Sequence, residues 1–408
     1  MDNQFCVGID IDDDNAIVSY SEKNEKEPET LSMVAGSEVY QIPVCLAKKR
    51  GMGQWFIGDE ARHLAVVQGE NCIGNLLSKA LNGEKVFVED EKYPAKELLQ
   101  LFLKKLIRLT AGFGLKRTPD VLVICLAKLS REAAELFMEL APNLGVPVEQ
   151  LILLDRKECF YYFAYHQGKE LSVHDVVLFD YRGDEMRCNR ISCNRRTVPQ
   201  MIAIEETVHK MSESDADSNF LRIAQDTMSG HIASAVYLVG DGFDGSWMKQ
   251  SVAYLCKGRR VFVGKNLYAK GACYAADVLR GNTPWEYVYL GDNEMKMNVS
   301  LKVRNHRKEE FYTLISAGDN WYESRGECEV ILAGTPGIAF WLQEPGSREA
   351  KIEKLELSDL PKRPDATTRL RISLKPLSDC EVQITIKDLG FGEFFKSSDK
   401  VWEYRMTL

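Results

Sequence analysis

The segment 5-FCVGIDIDDDNAIVSY-20 decides how the rest of the chain is read. An apolar run containing Gly8 breaks on Asp10, three carboxylates follow at Asp12, Asp13 and Asp14, and alternating apolar residues resume after Asn15. Two apolar stretches joined by a short polar tip read as a β-hairpin. A tip this acidic raises a chemical question: metal, phosphate or neither. The alternate spacing of Asp10, Asp12 and Asp14 suits calcium, but Asn15 stands where such a loop requires glycine, and no closing glutamate is in register.

The same device recurs twice along the chain. In 176-VVLFDYRGDEM-186 and 237-YLVGDGFDG-245 an apolar strand runs into a turn of Asp and Gly. Strand ends converging on turns rich in backbone donors make phosphate sites. Asp10 and Asp180, at strand ends, are placed to hold a hydrated magnesium through water. Gly240, Gly242 and Gly245 admit close backbone approach to a nucleotide. Each turn taken alone reads as a tight surface turn. The sequence contains no P-loop, dinucleotide fingerprint or His–Glu zinc signature.

Between these turns the pattern predicts α/β layering. Residues 94-PAKELLQLFLKKLIRLTAGFG-114 form a helix opened by proline and closed by glycine. There follow a strand at 120–127, a serine-capped helix at 130–145, a strand at 150-QLILLD-155, a helix at 156–168 and a strand pair at 175–192. Residues 200–235 read as mixed, with 212-SESDADSN-219 a loop between helices, and 246–256 and 267–279 read as helices. From about residue 284 the period changes: 295–305, 311–318, 327–334, 369–377 and 380–390 alternate apolar with polar residues. This predicts a C-terminal antiparallel β domain over 284–408, after an α/β region over 1–283 with lobes at 1–172 and 173–283.

A chain of 408 residues supports two or three domains. The net charge of −8 argues against nucleic acid and anionic membrane as partners. The apolar runs have strand length, so no direct membrane insertion is expected. The polar, acidic start lacks the pattern of a signal peptide, which makes the expected location cytoplasmic. Most of the eleven cysteines sit in apolar runs and read as buried, reduced thiols. The six histidines do not cluster, and 302-KVRNHRK-308 reads as a solvated strand end.

Taken in order, these turns resemble the actin-like ATPase superfamily, and within it the nucleotide-binding domain of the seventy-kilodalton heat-shock chaperones. The family's first phosphate loop, Gly-Ile-Asp-Leu-Gly-Thr-Thr-Asn, is similar to 8-GIDIDDDN-15; its second resembles 178-LFDYRGDEM-186 and its adenosine motif 237-YLVGDGFDGSWM-248. The small-residue helix 267-LYAKGACYAA-276 stands where the family shows Val-Ala-x-Gly-Ala-Ala. The resemblance covers roughly residues 4–280. It implies an actin-like ATPase fold (duplicated, ribonuclease H-like) with a reduced upper subdomain in the second lobe. It also implies a β-rich tail in the place of the chaperones' substrate-binding β-domain. The whole chain further resembles an uncharacterised bacterial family, with 384-ITIKDLGFGEFFKSSDKVWEY-404 as its mark.

If a nucleotide binds, the resemblance places Asp10, Asp13, Asn15, Asp180, Arg182, Gly183, Gly240 and Gly242 around ATP or ADP. Asp10 and Asp180 would then be the magnesium-holding and catalytic carboxylates. The departures weigh against activity. Where the family has a glycine and two threonines, this chain has Asp12, Asp13 and Asp14, which repel a triphosphate. Tyr181 and Arg182 replace glycines of the second loop. Arg156 takes the place of the family's acidic residue, with Glu158 two residues along and Lys79 the nearest candidate for the catalytic lysine. The expectation is therefore a noncatalytic chaperone-like module with no cofactor and a protein or peptide partner, its oligomeric state open. A divergent ATP-dependent peptide-binding chaperone is the alternative. A structural component of a bacterial assembly is the third reading, with 391-FGEFF-395 and Trp402 as its surface aromatics.

Overall fold

In the computed structural model, which describes residues 5–22, 27–34, 36–69, 71–113, 118–212, 215–306 and 308–408, the acidic segment is a hairpin. Strands β1 (Phe5–Ile11) and β2 (Asn15–Glu22) pair antiparallel from Phe5↔Glu22 to Ile11↔Ala16. Every residue of β1 is buried, which explains its apolar run in place of strict alternation. The short strands β3 (Glu29–Thr30), β4 (Ile42–Pro43), β5 (Leu46–Lys48) and β6 (Trp55–Ile57) follow. Next come helices α1 (Gly58–Gln68) and α2 (Leu76–Leu81) and the hairpin of β7 (Lys85–Val88) and β8 (Glu91–Pro94).

Helix α3 (Ala95–Leu109) buries Leu98, Leu99, Phe102, Leu103, Leu106 and Ile107, the positions set by its three-and-four spacing. Its glycine end differs from expectation: regular helix stops at Leu109 and a tighter turn covers Thr110–Phe113, while Gly114 lies outside the described residues. Strand β9 (Val121–Leu126) leads to α4 (Arg131–Leu144), where the Ser130 hydroxyl accepts the Ala133 N–H at 3.2 Å. Strand β10 (Leu151–Asp155) passes directly into α5 (Arg156–His166), with the Asp155 carboxylate capping the Glu158 N–H at 2.9 Å. The hairpin of β11 (Asp175–Arg182) and β12 (Glu185–Asn194) continues into β13 (Gln200–Lys210). Helix α6 (Ala216–Thr227), β14 (Ala233–Val239), α7 (Gln250–Leu255), β15 (Arg260–Val263) and α8 (Leu267–Leu279) complete this part.

The chain divides into two compact units, one formed by Met1–Ser192 with Ile204–Trp285, the other by Cys193–Ala203 with Glu286–Leu408. The first is mixed α/β. One of its sheets has the order β10-β9-β1-β2-β3, the other β15-β14-β11-β12-β13. In each, a hairpin is extended on its first strand by two parallel strands. The two halves thus repeat one topology. Helix α8 packs on β1 so tightly that a side chain at Gly8 would lie 2.7 Å from the Ala269 carbonyl, and it crosses α5 where Gly271 meets the Cys159 carbonyl. The small residues of α8 are explained by these two approaches.

Two expectations for this unit need correction. Residues 200–210 are a strand and residues 216–219 already form the first turn of α6, so the polar stretch at 212–219 is not a loop between helices; Glu213 and Ser214 lie outside the described residues. Most of β13 is exposed, which removed the apolar alternation that would have marked it. The helix expected over 246–256 is confined to Gln250–Leu255. The Asp217 carboxylate accepts the Gln250 and Ser251 N–H groups at 2.8 and 3.0 Å and fixes the start there. Trp247 is spent on the preceding turn, donating to the Gly242 carbonyl at 3.0 Å and stacking on Phe243.

Besides Cys193–Ala203, the second unit contains β16 (Tyr287–Tyr289), which pairs in parallel with Gln200–Ile202, the part of β13 that belongs to the same unit. Strands β17 (Asn298–Asn305), β18 (Lys308–Ile315), β19 (Gly326–Leu332), β20 (Gly337–Gln343), β21 (Lys351–Glu356), β22 (Thr368–Pro376), β23 (Glu381–Gly390) and β24 (Val401–Thr407) follow. They form two four-stranded antiparallel sheets, β18-β17-β20-β21 and β19-β22-β23-β24, sharing one core. Arg307, within the basic stretch 302–308, lies outside the described residues. Trp402 is not a surface aromatic: it is 8% exposed and its indole donates to the Ser358 carbonyl at 2.9 Å. Phe394, by contrast, is 92% exposed.

Candidate functional site

The C-terminal ends of β1 and β11 bring Asp10 and Asp180, both buried, into one cluster with side chains from α5 and α8. Arg156, the first residue of α5, donates from Nε to Asp10 Oδ1 and from Nη2 to Asp12 Oδ2, each at 2.8 Å. Arg182, at the end of β11, donates from Nε to Asp180 Oδ1 at 2.9 Å and from Nη1 to Asp12 Oδ2 at 3.3 Å. Tyr268, the second residue of α8, donates its hydroxyl to Asp180 Oδ2 at 2.8 Å, and the Arg156 guanidinium lies 5.4 Å from its ring centre. Three carboxylates, two guanidiniums and a phenol therefore satisfy one another across both sheets of the unit.

The electrostatics follow from this enclosure. Burial works against the Arg156 cation, but Asp10, Asp180 and Asp12 hold its pKa well above the ordinary value. Burial likewise pushes Asp12 up, and the Arg156 charge and hydrogen bond, the Asn15 N–H and the Arg182 charge together more than reverse this, leaving its carboxyl below the usual 3.8. Burial, followed by the charge of Asp180, raises the Tyr268 phenol well above 10.0. Tyr268 is thus a fixed donor at neutral pH.

A carboxylate with a depressed folded-state pKa adds stability that is complete above its unfolded pKa and lost as pH falls through the folded one. The Asp12 contribution is therefore present above about pH 4 and is lost in stronger acid. Asp217, lowered to about 2 against burial by Ser251 and the backbone N–H groups that it caps, acts in the same window. The urea midpoint is expected to fall between pH 5 and 2.5, and Asp12→Asn should flatten that slope. An unchanged slope would show that the pairing contributes nothing.

The remaining residues singled out in the sequence lie around this cluster in distinct roles. Asp12 Oδ1 accepts the Asp14 and Asn15 N–H groups at 3.0 and 2.8 Å, which shapes the hairpin tip. Asp13 turns away to α2, accepting the Ser78 N–H at 3.0 Å and the Ser78 hydroxyl. The Lys79 ammonium donates to the Gly74 carbonyl at 2.7 Å, and Glu158 is buried in the first turn of α5. Gly183 is the open tip of the β11–β12 hairpin, at φ 57°. Gly240, at φ 98°, sits against the Tyr181 carbonyl, and a side chain there would also lie 2.9 Å from Asp180 Oδ1. Gly242 faces the Tyr181 ring, which occupies the space a side chain would need. Both glycines are thus required by the protein's own packing.

The sequence marked Arg156 only as a departure from a family pattern, and Arg182 as a departure and a candidate nucleotide contact; that they close on Asp10, Asp12 and Asp180 emerges from the fold. The role of Tyr268 was missed, since nothing in a helix of small residues announces it. Among the described residues, no group of three or more His, Cys, Asp or Glu is arranged to hold a metal ion. Among them, too, no helix is long and apolar enough to cross a membrane.

The repeated α/β topology with charged strand ends agrees with a distant likeness to the chaperone superfamily. Over 180 residues the chain is 22% identical to the chaperone protein DnaK of Thermotoga neapolitana, a match covering 44% of this chain and 29% of that protein's length. Residues 27–292 match the family described as "Family of unknown function (DUF5716) C-terminal", and the chain belongs to it. Residues 294–408 match a "Domain of unknown function (DUF8552)".

Proposed function

We propose that the first unit is a degenerate actin-like ATPase domain of duplicated ribonuclease H-like type, and that the chain works as a noncatalytic, chaperone-like module that holds a protein partner. The shared strand order of its two sheets supports the fold. The distant likeness to a chaperone supports the partner class. In this reading the β-rich second unit carries the partner or peptide.

The observation that carries the noncatalytic reading is the double arginine closure. ATP with magnesium needs Asp10 and Asp180 free to hold hydrated metal, and donors at the loop where its phosphates lie. Here Arg156, Arg182 and Tyr268 take up those carboxylates, and the Tyr181 ring fills the approach over Gly242. The residues present do not fit the magnesium nucleotide. The test is phosphate release from ATP with magnesium by the purified chain. No turnover above background is expected, with Asp10→Ala unchanged; magnesium-dependent turnover lost in Asp10→Ala would sink the reading.

A further inference from the structure

Six of the cysteines in the α/β unit meet in three thiol pairs. Cys6 on β1 contacts Cys273 on α8, and Cys125 on β9 contacts Cys159 on α5; these four are buried. The third pair differs. Cys45 and Cys72 belong to one packed cluster, close enough for each thiol to act on the other, and Cys72 is only partly buried. The segments that carry them are tied together, because Leu46 and Ile73 form an antiparallel bridge through hydrogen bonds of 3.0 and 2.8 Å, which sets Cys45 and Cys72 diagonally across it on the same face. Both sulfurs lie in a small apolar cluster with Ala47, Ala61 and Ala65, and the Cys45 thiol also donates to the Gly58 carbonyl at 3.5 Å.

We infer that Cys45 and Cys72 form a redox-sensitive dithiol whose oxidation covalently joins the base of the β5–β6–α1 segment to the approach of α2. The co-reactant is a low-molecular-weight disulfide such as glutathione disulfide. The Cys72 thiolate attacks one of its sulfurs, forming a mixed disulfide and releasing one thiolate. Cys45 gives up its proton to solvent and attacks Cys72 Sγ, releasing the second thiolate. One protein disulfide forms, and one small disulfide is reduced to two thiols. The order follows from exposure: Cys72 is the accessible sulfur, while burial and then Cys72 itself push the Cys45 thiol up to about 12. The crosslink closes the loop between the two cysteines and restricts the unfolded chain accordingly. It also anchors the approach to α2, whose Ser78 holds Asp13 of the acidic tip.

The experiment equilibrates the full chain across a graded series of glutathione and glutathione disulfide, traps free thiols by alkylation and maps the peptides. The expected first product is a Cys45–Cys72 crosslink, with Cys6, Cys125, Cys159 and Cys273 still reduced. The oxidised protein should melt several degrees higher, a gain absent in Cys72→Ser. A Cys72 adduct that never resolves, a first crosslink elsewhere, or no oxidation of the folded wild type would each overturn the inference. The wild-type series decides the matter even if the variant folds poorly.

Discussion

Replacing Arg156 with alanine is expected to destabilise the protein by about 3–5 kcal/mol, the cost of stripping the partner from a buried ion pair. Asp10 is almost wholly buried, and Arg156 donates to it as well as to Asp12. Without the guanidinium, Asp10 is left buried without its charged partner, which costs stability. Arg182→Ala should cost far less, on the order of 1 kcal/mol. Its side chain is a third exposed, Asp180 keeps the Tyr268 hydroxyl, and Asp12 keeps Arg156. Combining Asp10→Asn with Arg156→Met should recover much of the loss by removing both charges. Urea unfolding of this set measures it, and equal effects of Arg156→Ala and Arg182→Ala would contradict the asymmetry.

An effect of the same size is expected in the β-rich unit from Asp388→Ala. Asp388 is 0% exposed and accepts both Arg363 Nη1 and Nη2, at 2.8 and 2.7 Å. It also accepts the Gly390 N–H, the Ser398 N–H and the Ser398 hydroxyl at 2.9, 2.9 and 2.6 Å. Arg363, burial notwithstanding, holds the Asp388 carboxyl far below the usual range. Removing the carboxylate leaves Arg363 buried and unpaired and frees three donors of the 390–398 turn, at a cost of about 3–5 kcal/mol. Amide exchange along β22 and β23 reads the change; protection equal to wild type would show that this pair does not hold the turn. Arg363→Ala should behave alike, since it leaves the opposite charge uncompensated.

How much of this was legible in the sequence depended on burial. The β1–β2 hairpin, the caps at Ser130 and Asp155, and the helical spacing of α3 are local signals, and the structure follows them. Strand β13 and the strands at 337–343, 351–356 and 401–407 escaped notice. Exposure of β13 erased its apolar pattern, and the other three lie between or beyond the stretches that drew attention. The residues of the cluster were all on the page, but the partnership was not. Arg156 and Asp10 are 146 residues apart, Arg182 and Asp12 are 170 apart, and only the folded sheets bring them together. The same holds for the mark at 384–404, where Asp388 finds Arg363.

The strand-end carboxylates Asp10, Asp12 and Asp180 are satisfied by the protein's own arginines. The direct test is calorimetric titration of the purified chain with ATP and ADP, with and without magnesium, alongside melting in the same solutions. The prediction is no saturable heat and an unchanged melting temperature in all four conditions. Magnesium-dependent binding in the micromolar range, with a matching rise in melting temperature, would contradict it and show that Arg156 and Arg182 yield their carboxylates to a nucleotide.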